Sequence, residues 1–297
     1  MFFIEFFKIL VTFETIKQVI YSNSSKTCLK TNLLFTKPIQ PMKNRFTLLL
    51  TGSALMAVLL FSSNPAKAQD DSKFSMDVTL NSDIFFGFYP FFAGSYSLSE
   101  NTAFTFYGIL WSGGTGGVQG AGGGGWGNWT EFGVGMNFDV ADGININPQI
   151  GLLNGSLTSG LGTPVLGEGI VPNLTIGLDR AKTEGEFYLG YYYGFNHGNP
   201  TTLNFLHYWA NYGFKISPFF SAGLHFEQLS LTGGSEIPSE DSFDYYVTLG
   251  PYVQFAKPNG GAFARFTSGG DLRSTDMVAK SGNNQPSFFK LTVGYSF

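Results

Sequence analysis

The chain has 297 residues, with 17 Lys and Arg, 21 Asp and Glu, a single Cys and a formal net charge of −4. Its 13% of charged residues is about half the roughly 25% of a typical soluble chain, yet a mean hydropathy of +0.06 is far below that of a helical membrane bundle. Abundant aromatics exclude disorder, one cysteine excludes a disulfide scaffold, and the slight acidity excludes a nucleic-acid footprint.

Residues 1–41 are rich in Phe, Ile and Lys and contain Cys28. They precede Met42-Lys43-Asn44-Arg45, an apolar stretch from Phe46 to Phe61, and Pro65-Ala66-Lys67-Ala68. A basic start, an apolar core and a small-x-small site describe a secretory signal peptide over 42–68, cleaved after Ala68. A signal peptide begins a chain. Translation is therefore expected to start at Met42, with 1–41 an upstream extension that is untranslated, disordered or helical. The remaining 69–297 carries 9 basic and 19 acidic residues, a net charge of −10, and no Cys. That suits an exported product without disulfides.

From residue 74 onward, apolar and polar residues alternate with period two, the mark of a strand with two unlike faces. About twelve strands are predicted, with ten or fourteen as alternatives: 74–84, 91–99, 102–111, 129–140, 144–154, 170–180, 186–196, 204–216, 219–230, 244–256, 261–267 and 287–297. Between 144 and 152, Ile144, Ile146, Pro148, Ile150 and Leu152 oppose Asn145, Asn147, Gln149 and Gly151. In the strand over 186–196, Phe187, Leu189, Tyr191, Tyr193 and Phe195 oppose Glu186, Tyr188, Gly190, Tyr192 and Gly194. Farther on, Leu206, Tyr208, Ala210, Tyr212, Phe214 and Ile216 oppose His207, Trp209, Asn211, Gly213 and Lys215. Over 244–256, Tyr245, Val247, Leu249, Pro251, Val253 and Phe255 oppose Tyr246, Thr248, Gly250, Tyr252 and Gln254. The strand over 102–111 is ambiguous, because both its faces are apolar.

The connections sort by length. Those after even-numbered strands are short, for example Glu100-Asn101, Ala141-Asp142-Gly143 and Ser217-Pro218. After odd-numbered strands most are long: 112–128, 155–169, 197–203, 231–243 and 268–286, with the first, near 85–90, short. Tight turns at one end, longer loops at the other and an even strand count describe an antiparallel transmembrane β-barrel. Such a barrel satisfies its backbone in lipid and has no free edge. A secreted β-sandwich or lipocalin-like barrel is the soluble alternative. Trp129, Tyr188, Trp209, Tyr245 and Tyr295 lie near strand ends, where aromatic girdles form, although Tyr188 and Trp209 fall on the inward face.

Phe289, Leu291, Val293, Tyr295 and Phe297 share one face of the last strand. This ending resembles the C-terminal signal that bacterial outer-membrane barrels present to their assembly machinery. The stretch from Asn81-Ser82-Asp83-Ile84-Phe85-Phe86-Gly87-Phe88 to Trp111-Ser112-Gly113-Gly114 resembles an uncharacterised group of such proteins. The resemblance implies a Gram-negative outer membrane as the location, reached through the Sec pathway. It implies outer-membrane lipid, lipopolysaccharide and the barrel assembly machinery as partners. It does not imply a substrate.

Residues with chemical potential are few. The Gly-rich stretch from Ser112 to Asn128 contains ten glycines but lacks the Gly-Lys-Ser/Thr ending of a phosphate loop, and reads as an external loop. His197 falls in a loop, whereas His207 and His225 face inward on neighbouring strands with Glu227 close by. They could form a metal site or base pair, but a hydrogen-bonded lumen filler is the simpler expectation. No catalytic residue, metal ligand set or cofactor is assigned. The lumen-lining set is Asp77, Asp83, Glu131, His207, Lys215, His225, Glu227, Arg265 and Lys290, with Asp139, Asp179 and Glu186 as further inward acids. Buried charges need water or partners. Three functions remain: a porin-like passive channel for small solutes with an acidic-leaning lumen; a closed structural or surface-interaction barrel; and an outer-membrane lipid-modifying enzyme. The first requires a continuous polar lumen. The second requires Glu131, Glu227, Arg265 and Lys290 locked in pairs, and the third a Ser–His–acid geometry at the lipid face.

Overall fold

The computed structural model describes residues 73–112, 126–158, 165–195, 202–235, 241–258 and 260–297. The expected leader, the Gly-rich stretch from Gly113 to Gly125 and His197 lie outside them. Twelve strands follow in chain order: β1 (Phe74–Asp83), β2 (Gly87–Ser99), β3 (Thr102–Ser112), β4 (Trp126–Ala141), β5 (Ile144–Gly155), β6 (Val165–Asp179), β7 (Thr183–Gly194), β8 (Asn204–Ser217), β9 (Phe220–Gly233), β10 (Phe243–Ala256), β11 (Ala262–Asp271) and β12 (Ser287–Ser296). Each pairs antiparallel with its chain neighbours, and β1 pairs with β12, so the sheet is a closed barrel. The strand count matches the expectation of twelve, and every strand predicted from periodicity is present.

Period two decides the faces. Phe132, Val134, Ile150, Leu152, Phe214, Leu224, Phe266, Phe289 and Leu291 are all exposed on the outside. Their chain neighbours Glu131, Gly133, Gly151, Gly213 and Gly223 face inward, where glycine leaves room for the large rings of the lumen. A Cβ at Gly133 or Gly151 would run into Tyr107, and one at Gly213 into Tyr252. The ambiguous β3 turns Thr105, Tyr107, Ile109 and Trp111 inward. Its apolar inner face fills the barrel's loop end rather than contradicting the alternation.

The two-residue turn Asp142-Gly143 joins β4 to β5. Gly143 adopts φ 63, a left-handed backbone that a side chain resists, and a Cβ there would strike the Asp179 carbonyl oxygen. One helix, α1 (Thr275–Ser281), occupies the β11–β12 loop, which was expected to be irregular. Ser274 caps its N-terminus by accepting from Met277 N–H, and Gly282 at φ 65 ends it. The loop is pinned by Arg273, which pairs with Asp271 and donates to the Asp244 and Asn283 carbonyls.

Two face assignments differ from the sequence reading. Tyr245 was expected on the outer face, but a register shift between Asp244 and Tyr246 turns it inward, where it is buried. Trp129 likewise joins the interior, in step with Glu131 two residues on. Of the five aromatics considered for a girdle, Tyr295 remains outside; Trp129, Tyr188, Trp209 and Tyr245 belong to the lumen. Asp139 and Asp179, expected to face inward among the lumen acids, are exposed at the short-turn end. At this end side chains of either parity reach solvent, and parity alone does not enclose them.

Candidate functional site

The lumen is stratified along the barrel axis. The loop end is packed by a cluster that includes Trp111, Trp129, Leu153, Val171, Phe205, Leu231 and Tyr245. Phe85 and Phe86 enter it from the three-residue β1–β2 turn, 4% and 6% exposed. The Asp83 carboxylate shapes that turn by accepting from Phe85 N–H at 2.9 Å and Phe86 N–H at 2.5 Å. Phe85 meets Tyr246 edge-on at 4.8 Å between centroids, and Phe86 lies 4.6 Å from Trp111. Among the described residues this end of the barrel is plugged with side chains.

Directly beneath the plug, four side chains converge on Glu227. His207 Nε2 is 2.9 Å from one carboxylate oxygen, and the Tyr246 hydroxyl donates to the same oxygen at 2.8 Å. His225 Nε2 and Lys290 Nζ each approach the other oxygen at 3.0 Å. His225 Nδ1 is also 2.6 Å from Asn211 Oδ1. The two histidines thus share one carboxylate, and the Lys290 ammonium supplies the cation. Both histidines are hydrogen-bonded within the lumen. Both histidines point into the lumen, away from the outer face.

A second buried carboxylate, Glu131, accepts from the Tyr107 hydroxyl at 2.5 Å and from Trp111 Nε1 at 3.4 Å. Asn173 Nδ2 in turn donates to the Tyr107 oxygen at 2.7 Å. Its own Oδ1 is buried without a hydrogen-bond partner, a state that costs about 1–3 kcal/mol.

From these clusters toward the short-turn end, a cavity of about 600 Å³ opens. It is lined by Thr79, Thr105, Asn147, Gln149 and Asn173 and, on the adjoining strands β7 and β8, by Tyr188 and Trp209. Those two rings stack at 3.9 Å with planes 14° apart. Trp209 Nε1 donates to Glu186 at 2.6 Å, and Lys290 Nζ lies 5.5 Å from the Trp209 ring centroid. Near the mouth, Arg265 donates to Gln254 and lies over the Tyr252 ring at 5.0 Å.

The predicted lumen set is therefore distributed rather than gathered into one site. His207, His225, Glu227 and Lys290 form one cluster, and Glu131 centres another. Asp83 holds the plug turn, and Arg265 lines the cavity. Asp77 is exposed at the mouth, where Lys215 pairs with Asp179 at the rim. Sequence reasoning missed two acids. Glu184, read as a turn residue, accepts from Ser221, Tyr252 and Gln254. Glu168, read as a loop residue, is fully buried and accepts from Leu157 and Thr158 N–H. Both lie in the opening residues of a strand that begins earlier than its periodicity showed.

Among solved structures, the chain is similar to three porin-type barrels. For a structure titled KdgM porin the identity is 12%, the match covers 75% of this chain and 99% of that one, and the TM-score is 0.42. A NanC porin matches at 10% identity over 75% of this chain and 98% of its own, with a TM-score of 0.44. An outer membrane channel from Pseudomonas putida F1 matches at 13% identity over 79% and 98%, with a TM-score of 0.43. No curated protein sequence matches the chain. The profile of a family of unknown function, DUF6733, matches residues 42–297, and the chain belongs to that family.

Proposed function

We propose that the protein is an outer-membrane β-barrel that passes small solutes as a gated channel, closed at its loop end in the state described. The outer-membrane reading is supported by the closed barrel and by an outer face of exposed Phe, Leu, Ile and Val that water would not tolerate over so large an area. It carries with it export through the Sec pathway after cleavage of 42–68, contact with lipid and lipopolysaccharide, and delivery to the assembly machinery by the ending Phe289 to Phe297.

One observation carries the channel reading. A vestibule of about 600 Å³, lined by polar and aromatic side chains together, runs from the short-turn mouth up to a plug that, among the described residues, is built from side chains and a three-residue turn. Displacing Phe85 and Phe86 would join the vestibule to the loop side. The acid-leaning selectivity expected from sequence is weaker here, because Glu131 and Glu227 are already satisfied by internal donors.

The satisfied state of those carboxylates favours a second reading, a closed barrel that works through its external loops. Single-channel recording in a planar bilayer separates the two. The full chain, extracted from membranes, should show discrete conductance steps with long closed intervals. A correctly folded sample that never conducts, even with the plug shortened, would overturn the channel.

A further inference from the structure

The vestibule has two unlike walls, and their chemistry specifies a solute. On the wall formed by β1, β3, β5 and β6, Thr79, Thr105, Asn147, Gln149 and Asn173 present neutral donors and acceptors. On the adjoining strands β7 and β8, Tyr188 and Trp209 stack face to face. A volume near 600 Å³ falls within the roughly 300–1,000 Å³ of small-molecule sites.

The charges in the cavity balance and are mostly engaged. Glu186 holds Trp209 Nε1, Arg265 holds Gln254 and Lys290 holds Glu227, while Asp77 is exposed at the mouth. Two acids, Asp77 and Glu186, and two bases, Arg265 and Lys290, line the cavity, so it carries no net charge that would favour an anion or a cation over a neutral solute.

Asn173 adds an independent observation. Its side chain is 8% exposed and lines the cavity, and its Oδ1 has no hydrogen-bond partner. The amide cannot gain by flipping. Its Nδ2 donates to both the Tyr107 oxygen and the Val171 carbonyl, and a flipped amide would set oxygen against that carbonyl. An acceptor held this way has no donor within the protein, and a solute hydroxyl that reached it would supply one.

Resting on the proposed channel, we infer that the vestibule is a binding site for a neutral polyhydroxylated solute of one or two sugar rings. Hydroxyls meet Asn173, Gln149 and Asn147, and the apolar C–H face of a ring lies against Trp209, which Tyr188 backs. The binding energy comes from a few placed polar groups in a partly aromatic cleft, the usual composition of such sites.

The test is a titration of the full membrane-extracted protein in detergent with maltose. Glucuronate and glucosamine serve as charged comparators, and tryptophan fluorescence and calorimetry as readouts. Trp111 and Trp209 both line the cavity, so occupancy should change emission saturably. Maltose should bind at least about tenfold more tightly than either charged sugar. Asn173→Leu should weaken maltose about tenfold, the equivalent of roughly 1.4 kcal/mol. If that variant fails to fold, Trp209→Leu replaces it with the same expected direction. No saturable maltose response from the wild type, or equal binding of the charged sugars, would overturn the inference. Conductance without maltose binding sinks this site but spares the channel. Maltose binding without conductance does the reverse.

Discussion

Lys290 Nζ stands 3.0 Å from Glu227 Oε2, tying β12 to β9 across the interior of the barrel. Glu227 is buried and the Lys290 side chain is 15% exposed, and the carboxylate also gathers His207, His225 and Tyr246. Desolvating the pair is costly, and the convergent donors offset that cost.

Removing one partner should therefore be worse than removing both. Glu227→Gln leaves a mostly buried ammonium without its countercharge and should destabilise the barrel by about 3–5 kcal/mol. Adding Lys290→Met should restore a large part of that loss. Urea unfolding of the extracted protein, followed by the folded-band shift on gels, measures both. A double variant no better than the single one would count against the pairing.

Phe85→Ala with Phe86→Ala should open the loop end. Both rings are buried in the plug, but they come from a turn outside the ladder. Truncation of a buried Phe costs about 3–5 kcal/mol in a closed core. The expected signature is a higher open probability in planar bilayers with the folded-band shift retained.

Gly151→Val should break the Glu131 cluster. A Cβ at this glycine would collide with the Tyr107 hydroxyl and approach Glu131 Oε1. Tyr107 must then swing away, freeing a buried carboxylate of its shortest hydrogen bond. A loss of about 2 kcal/mol or more in unfolding free energy is expected. Gly167→Ala is the control, because a Cβ at Gly167 meets nothing, although its φ of 65 adds some backbone strain.

Deleting Phe297 should lower the yield of assembled barrel. Its N–H donates to Met76 O at the seam, and its ring packs on Tyr295. Quantifying heat-modifiable protein in the membrane fraction, with total expression as reference, reads the effect. Unchanged assembly would remove the terminal residue from the proposed signal.

The strands were legible because a lipid-type exterior and a polar interior impose opposite chemistry on successive residues, as along β7, β8 and β12. Three things were less legible, each for a physical reason. In β3 the plug makes the inner face as apolar as the outer, so parity vanished. At Tyr245 an inserted bulge residue reversed parity, and nothing local in Asp244-Tyr245-Tyr246 announces it. The helix in the last loop left a readable trace that the strand pattern obscured: Ser274 before it, Asp276 in its first turn, Lys280 in its last and Gly282 after it. The pairings within the lumen depend on cross-barrel geometry. The Asn173–Tyr107 bond spans 66 residues of sequence, and no local spacing encodes it.

The seam between β1 and β12 has a consequence for biogenesis. Asn81 and Thr292, hydrogen-bonded across it, are 211 residues apart in sequence. Until the last strand is synthesised, the first has an unpaired edge with nothing to close against. The circular order is therefore completed late, by a pairing of the two chain ends whose loop-closure entropy must be met before the contacts of the seam can offset it.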